Sequence, residues 1–528
     1  MVGKGGTPAQ ADPAPVPADA LWNRRAAAAL LVLLAALALA RGLPFRLEKS
    51  DQAKQAYASL QIASGGSFWF PHTPDGQPAT KPPGVAWLSL WLHALWGSWP
   101  VAWVLPGLAA TAALAALVWA GGRRLAPPDG GLLAAIVFGS NLLTLRLATL
   151  VRTDMVLALL CVAAIALPWR AARSARPLSP RERFALGLVM AAAWFTKGPV
   201  FLAFVLPALA ALVFVHRGER GWPDLGGAWP WLLPAALFGV WVVAGMLSSP
   251  DFTDRVVVGE FAERFSTGGR RAFEVRPPWY YVLPFLHRAF PWSIVLIAGL
   301  LHPRVRRAAW RSSDFRFLLL AALGGFLVMS FVPSKRIDRV YPAVPLLALA
   351  LPTLVLAATR ELGPARVRRL GALALGVTAI NAAGYVGISV GQDLWEGAAE
   401  LRTFARSCQA RTGSDAPGHF AVVGVVPEST LVYTRLLERT GLPSARAGWS
   451  DGTLTGVIAD AAAERTLTAT PPRGRVISRI RWNERDFACV QRESGAGSSP
   501  ARSSRRTSLS TPTDQVPIRA ARPNSGTE

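Results

Sequence analysis

The amino-acid sequence predicts an all-α polytopic membrane protein of about 11–13 transmembrane helices, followed by a small α/β domain outside the cytoplasm. Three observations predict it. Of 528 residues, 52% are hydrophobic, and the mean hydropathy is +0.31. Apolar runs recur between residues 26 and 390, many of them close to the roughly 20 residues that cross a hydrocarbon core. Arginine gathers in alternate loops between those runs, as it does in cytoplasmic loops.

Each element follows from the chain in order. Residues 1–25 are rich in alanine and proline and read as a disordered cytoplasmic N-terminus. Arg24 and Arg25 precede the first apolar run, and Ala38-Leu39-Ala40 resembles a signal-peptidase site. The leader before this run and the many spans after it predict a retained anchor instead. Runs in lipid must be helical, because the bilayer core cannot satisfy open backbone groups. With the arginine-rich loops inside, eleven spans thread at residues 26–43, 100–121, 131–149, 155–169, 184–196, 200–215, 229–247, 280–301, 315–332, 342–358 and 370–390. Residues 44–99 are then an external loop of the 26–390 membrane domain. Its segment Val85–Gly97 is too short to cross and rich in tryptophan, and is expected to lie in the interface.

Composition changes near residue 391. Leu394–Arg411 has helical spacing, Phe420–Val426 reads as a buried strand and Glu428–Arg439 as a helix, with strands at Arg475–Arg481 and Phe487–Gln491. Residues 391–493 are therefore expected to form an extracytoplasmic α/β domain, and residues 494–528 a disordered basic tail. Cys408 and Cys489 both fall in this domain, where an oxidising compartment would permit a disulfide. Cys161 lies in an apolar run, and no C-x-x-C spacing marks a metal site.

The formal net charge is +24. It is spread over short loops and the tail rather than gathered in one patch. It reports orientation in the membrane and argues against a nucleic-acid partner.

The polar loops opposite the basic side are 44–83, 152–154, 196–199, 248–278 and 334–341. Taken singly, their residues have ordinary readings. Asp51 is a loop acid, Lys81 marks a turn before two prolines, and Arg152 and Asp154 are a local pair capping a span. Arg264, Lys335, Arg336 and Arg339 are contacts for membrane lipid headgroups, and His72 is structural in a proline-flanked turn. Taken together, these cations sit on the side where positive charge is scarce. Carboxylates beside cations at the end of a helical bundle suit a site that binds a phosphate and activates a hydroxyl.

The order Asp51-Gln52, Trp69-Phe70-Pro71-His72, Ala79-Thr80-Lys81-Pro82-Pro83, Thr196-Lys197-Gly198-Pro199, Arg264-Phe265, Pro278-Trp279-Tyr280-Tyr281 and Ser334-Lys335 followed by Tyr341 resembles the family-39 glycosyltransferases of the GT-C superfamily. That family includes protein O-mannosyltransferases and bacterial enzymes that add 4-amino-4-deoxy-L-arabinose to lipid A. The likeness covers roughly residues 26–360. It implies a GT-C membrane domain in the bacterial cytoplasmic membrane, with an active site facing outward. It further implies a polyprenyl-phosphate-linked sugar donor and a lipid, glycan or protein acceptor. Asp51 is implied as the catalytic acid–base residue. Gln52 follows it where many relatives have glutamate, and Asp154 is the candidate second carboxylate. Lys81, Arg264, Lys335 and Tyr341 are implied at the carrier phosphate. No cofactor is assigned. A divalent metal is left open, because Thr80 stands where the lipid A enzyme has a glutamate linked to metal.

The chemistry expected of such a site is simple. The leaving phosphate is already acidic and needs cations as charge builds on it. The acceptor hydroxyl is a poor nucleophile and needs a base. A single displacement inverts the anomeric centre. No G-x-G-x-x-G or P-loop pattern for a nucleotide is present. The alternative is a transporter or flippase for a lipid-linked sugar, which would favour internal repeats and charges deep within spans.

Overall fold

The computed structural model describes residues 24–42, 47, 50–217, 222–263, 276–395, 400–412, 418–469, 471–482 and 485–493. The expectations for the N-terminal segment before Arg24 and for the tail from 494 lie outside the described residues, as does Arg264.

Helix α1 (Arg24–Arg41) opens the bundle and buries Ala27, Leu30 and Leu34 in its core. Two helices follow at one end of the bundle, α2 (Ser50–Ala63) and α3 (Gly84–Trp96). The chain then crosses through α4 (Trp99–Leu125) and returns through α5 (Gly130–Ser140) and α6 (Leu142–Leu147), separated at Asn141. The Asn141 side chain caps α6 by accepting from the Leu143 N–H. Next come α7 (Asp154–Arg173), α8 (Pro180–Lys197), α9 (Leu202–His216) and α10 (Trp229–Ser248). Ser179 and Glu182 form a capping box that starts α8. Gly198, at φ +65°, reverses the chain between α8 and α9 in a conformation that costs other residues energy. The short α11 (Pro250–Phe252) leads into a π-helical stretch, Thr253–Ala262. The bundle closes with α12 (Val282–Arg288), α13 (Trp292–Leu301), α14 (Pro303–Trp310), α15 (Ser313–Phe331), α16 (Ala343–Leu362) and α17 (Pro364–Trp395).

Ion pairs mark the two ends. At the arginine-rich end, Arg24 meets Asp129 at 2.9 Å, Arg173 meets Asp314 at 3.0 Å and Arg183 meets Asp224 at 3.0 Å. At the other end, Lys197 closes α8 against Asp154 at the start of α7, at 2.7 Å.

Seven helical stretches among the described residues are long and apolar enough to cross a membrane, or eight if the bent pair Pro278–Arg288 and Trp292–Leu301 is one span. The sequence reading of eleven differs in definable places. The first span carries Arg24, Arg25 and Arg41, and the third is split at Asn141 into short helices. The fifth and sixth lie in one stretch, Pro180–His216, which Gly198 divides. The protein is thus a polytopic helical membrane protein with a smaller C-terminal sheet domain.

That domain begins with α18 (Glu400–Arg411) and holds a four-stranded sheet in the order β1-β2-β4-β3. The strands are β1 (Phe420–Val423), β2 (Gly456–Asp460), β3 (Gly474–Trp482) and β4 (Arg485–Arg492). β1 and β2 are parallel, and β4 is antiparallel to both its neighbours. The helices between strands are α19 (Glu428–Thr434), α20 (Leu442–Asp451) and α21 (Ala461–Ala469). The helix expected to reach Arg439 stops earlier, because Arg435 turns left-handed at φ 58°. Cys408 of α18 and Cys489 of β4 are joined by a disulfide.

The domain is seated on the membrane bundle through α2. Leu47, Ala53, Ala56, Tyr57 and Leu60 share an apolar core with Leu431, Val432 and Tyr433. The Leu47 N–H donates to Tyr433 Oη at 2.7 Å, Tyr57 Oη donates to the Leu437 carbonyl, and Arg439 pairs with Asp75.

The disulfide closes a loop of 81 residues in sequence separation. Replacing both cysteines by serine is expected to destabilise the α/β domain by about 2–4 kcal/mol, the usual effect of removing a cross-link over a long loop. Proteolysis of residues 400–493 against temperature measures it, and an unchanged onset of cleavage contradicts it.

Candidate active site

Three segments meet where α2 faces the ends of α7, α8 and α15. The first is α2 itself. Ala53, Ala56, Tyr57 and Leu60 are spaced to bury one face of a helix, and this fixes Asp51 in its first turn. Gln52 Oε1 accepts from the Val151 N–H at 3.1 Å. The amide at this position is therefore a brace between α2 and the loop that carries Arg152.

The second segment is a short hairpin, in which His72 and Pro78 form a bridge and the Thr73 N–H donates to the Gln77 carbonyl at 2.7 Å. It delivers Lys81 to the mouth of α3. A Cβ on Gly84 would lie 2.5 Å from the Phe195 carbonyl oxygen, so only glycine lets this turn approach the end of α8. That approach brings Lys81 near Asp154 and Lys197. The third segment is the turn 334–341, which supplies Arg336 and Asp338.

The charges interlock. Asp51 accepts from Arg336 at 2.7 Å and lies 3.7 Å from Lys81 and 3.9 Å from Arg152. Arg152 also meets Asp154 at 3.0 Å and Asp338 at 2.6 Å. Lys197 holds the other oxygen of Asp154 at 2.7 Å, and Arg146 lies 3.6 Å from Asp338. Five cations thus face three carboxylates, an excess of two positive charges. Burial alone would raise the Asp51 carboxyl. Lys81 and then Arg336 and Arg152 outweigh it and hold Asp51 well below the usual carboxylate range. Burial lowers the Lys81 ammonium, opposed by Asp51 and Glu260. Burial also acts to lower Arg152, but Asp154 and Asp338 overcome it and keep the guanidinium charged.

A cavity of about 770 Å³ opens onto this cluster. Its polar wall includes Asp51, Lys81, Arg152, Lys197, Arg336 and Glu260. It continues as an apolar groove between Leu202, Ala203, Leu206, Pro207 and Ala210 of α9 and Val328, Met329 and Val332 at the end of α15. The α9 residues line one helical face over about 12 Å.

The residues singled out from the sequence fall in different places. Asp51 and Lys81 line the cavity together. Asp154 is buried behind it, gripped by Arg152 and Lys197. Lys335 turns away and donates to the carbonyls of Arg276 and Val332 at 2.9 and 2.7 Å. Tyr341 is fully buried and bonds to the Thr144 hydroxyl at 2.9 Å. Neither Lys335 nor Tyr341 lines the cavity. Arg152 and Arg336, which the sequence reading left as pairing and headgroup residues, and Lys197, named there only within a motif, take the positions facing it. Asp338 and Glu260 had no signal beyond lying in polar loops.

The residues do not fit a resident divalent metal. Thr80 offers no carboxylate, the three carboxylates of the cluster are each held by cations, and no group of three His, Cys, Asp or Glu side chains converges among the described residues.

The depressed Asp51 fixes the sign of a pH effect. A carboxyl whose folded pKa is lowered contributes stability that is fully present above its unfolded pKa, about 4, and is lost as pH falls through the lower folded value. Melting of the purified protein is expected to hold from pH 7 to about pH 5 and to decline in stronger acid, with a shallower decline in Asp51→Asn. Parallel curves for the two proteins contradict this.

Comparison with known proteins places this geometry in context. Residues 80–248 match the family model described as dolichyl-phosphate-mannose-protein mannosyltransferase. A relative from Sodalis glossinidius, an undecaprenyl phosphate-alpha-4-amino-4-deoxy-L-arabinose arabinosyl transferase, is 30% identical over 315 residues, covering 58% of this chain and 54% of that protein. The protein of the same name from Edwardsiella ictaluri is 27% identical over 328 residues, covering 61% and 58%. The chain thus spans a little over half the length of these relatives. The crystal structure of ArnT from Cupriavidus metallidurans bound to undecaprenyl phosphate superposes with a TM-score of 0.64 at 18% identity, over 89% of this chain and 99% of that one. The chain therefore has the fold of that protein, and parts of it are similar to the dolichyl-phosphate-mannose-protein mannosyltransferase family and to the undecaprenyl phosphate-alpha-4-amino-4-deoxy-L-arabinose arabinosyl transferases.

Proposed function

We propose that this chain is a membrane glycosyltransferase that moves a sugar from a polyprenyl-phosphate carrier to an acceptor hydroxyl or phosphate at the outer face of the bacterial cytoplasmic membrane. The acceptor class we assign is lipid A or a related envelope glycolipid. The observation that carries this reading is the continuity of the cavity. One space joins an apolar groove to a cluster with two excess positive charges and a carboxylate at its edge. An isoprenoid chain fits the groove between α9 and α15, and its phosphate fits Lys81, Lys197, Arg152 and Arg336. The polar groups gather where helices end rather than within them, which favours surface chemistry over transport.

The mechanism follows from the charges. The donor phosphate competes with Asp51 for Lys81 and Arg336. As those cations turn to the phosphate, the carboxylate loses the partners that depress its basicity. Donor binding thereby readies Asp51 to take the proton of the acceptor hydroxyl. The acceptor oxygen attacks the anomeric carbon, the bond to the carrier phosphate breaks with inversion, and the cations receive the growing charge. Asp154 stands behind this site and aims Arg152 and Lys197. Lys335 and Tyr341 hold the 334–341 turn from its buried side, so their contribution is to place Arg336. The disulfide of the α/β domain supports an oxidising, extracytoplasmic side for the site.

Transfer from undecaprenyl phosphate-α-4-amino-4-deoxy-L-arabinose to lipid A by the purified protein tests the reading. Asp51→Asn is expected to slow it by about 10²–10⁴-fold while undecaprenyl phosphate still binds. Lys81→Ala or Arg336→Ala is expected to weaken that binding by about 10–100-fold, as loss of a charged hydrogen bond does. Wild-type rates in Asp51→Asn would remove Asp51 from the reaction, and unchanged binding in both cation variants would remove the phosphate site.

A further inference from the structure

Glu428 is the one described residue of the α/β domain that lines the cavity. It stands at the start of α19, and its Oε2 is buried with no hydrogen-bond partner among the described residues. A buried carboxylate oxygen left unpaired is costly. The clamp of Tyr57 on Leu437, Leu47 on Tyr433 and Asp75 on Arg439 fixes α19 against α2. The position is therefore built rather than incidental.

The charges that act on Glu428 most strongly are Lys54, Arg439, Asp75 and Asp51. Those acting on Lys81 are Asp51, Glu260, Lys197 and Asp154. Glu428, Asp51 and Lys81 line the same cavity, and Asp51 is among the charges that act on Glu428 most strongly. Burial holds the Glu428 carboxyl above its ordinary range, with Lys54 and Arg439 pulling the other way. A carboxyl group repels phosphate and accepts from hydroxyl groups. The partner that suits Glu428 in this cavity is therefore the hydroxyl-bearing acceptor rather than the carrier phosphate.

We infer that Glu428 is a specificity-determining residue, contributed by the α/β domain, that accepts a hydrogen bond from a sugar hydroxyl of the acceptor head group and steers it to Asp51. The inference rests on the transferase reading above. It gives the C-terminal domain a direct part in choosing the acceptor while the membrane bundle holds the donor.

The test uses the full-length protein in detergent with lipid A as the acceptor probe and undecaprenyl phosphate as the donor-side probe. Glu428→Gln and Glu428→Ala are expected to weaken lipid A binding about tenfold and to leave undecaprenyl phosphate binding unchanged. Melting of Glu428→Gln is expected at or above the wild-type temperature, because the substitution removes an unpaired carboxylate. A clear fall in melting temperature with lipid A binding unchanged would mean a purely structural role and overturn the inference. Loss of undecaprenyl phosphate affinity in the variants would place Glu428 on the donor side and overturn it too. A wild-type protein that binds undecaprenyl phosphate but not lipid A would overturn the acceptor class. A wild-type protein that binds neither would overturn the transferase reading itself.

Discussion

Arg152 is the constraint on which the site depends. Its guanidinium touches Asp154 at 3.0 Å and Asp338 at 2.6 Å and reaches toward Asp51 at 3.9 Å. These carboxylates belong to α7, to the 334–341 turn and to α2, three segments far apart in sequence. A planar fork of donors can satisfy such a set, whereas a lysine ammonium is a single point of charge. The same contacts make the arrangement costly to break, because a partly buried carboxylate without its partner is poorly tolerated. Gln52 reinforces the link by bonding the backbone at Val151, one residue away. The cluster is thus both the joint that assembles this end of the bundle and the source of its positive excess.

The parts around the joint divide the work. Gly84 and Gly198 let the Lys81 turn and the α8–α9 reversal come close together, so that Lys81 and Lys197 share one wall. α9 and α15 continue that wall as an apolar face suited to an isoprenoid chain. The α/β domain closes the opposite side through α19, and its disulfide pins α18 to β4 beneath the same core that supports α2. Asp51 therefore lines a cavity whose wall comes mostly from the membrane bundle, with Glu428 added by the α/β domain.

Much of this was legible in the sequence, and the failures have physical causes. Asp51 and Lys81, singled out in a polar segment between apolar runs beside a proline-rich turn, line one cavity. Lys335 was singled out, whereas its neighbour Arg336 is the one that lines the cavity. At Arg336 the backbone is extended, with φ −143° and ψ 136°, so neighbouring side chains point to opposite sides. Lys335 turns to backbone carbonyls and Arg336 to the cavity. The helix α2 escaped notice because its apolar face is made of Ala53, Ala56, Tyr57 and Leu60, which is weak beside the surrounding spans. Half of the α/β domain escaped for a related reason. The strand Gly456–Asp460 is five residues long, and Pro443 and Gly448 disguise α20. The spans were found, but the break at Asn141 and the reversal at Gly198 needed the structure to define their ends.

The central claim is that one cavity seats a polyprenyl chain along α9 and α15 and its phosphate among Lys81, Lys197, Arg152 and Arg336. A cryo-electron microscopy structure of the protein with undecaprenyl phosphate tests it most directly. The account predicts density for the lipid tail against Leu206 and Met329 and a phosphate within hydrogen-bond distance of Lys81 and Arg336. Lipid density confined to another face of the bundle, with the Asp51–Arg336 pair intact and the cation cluster empty, would contradict it.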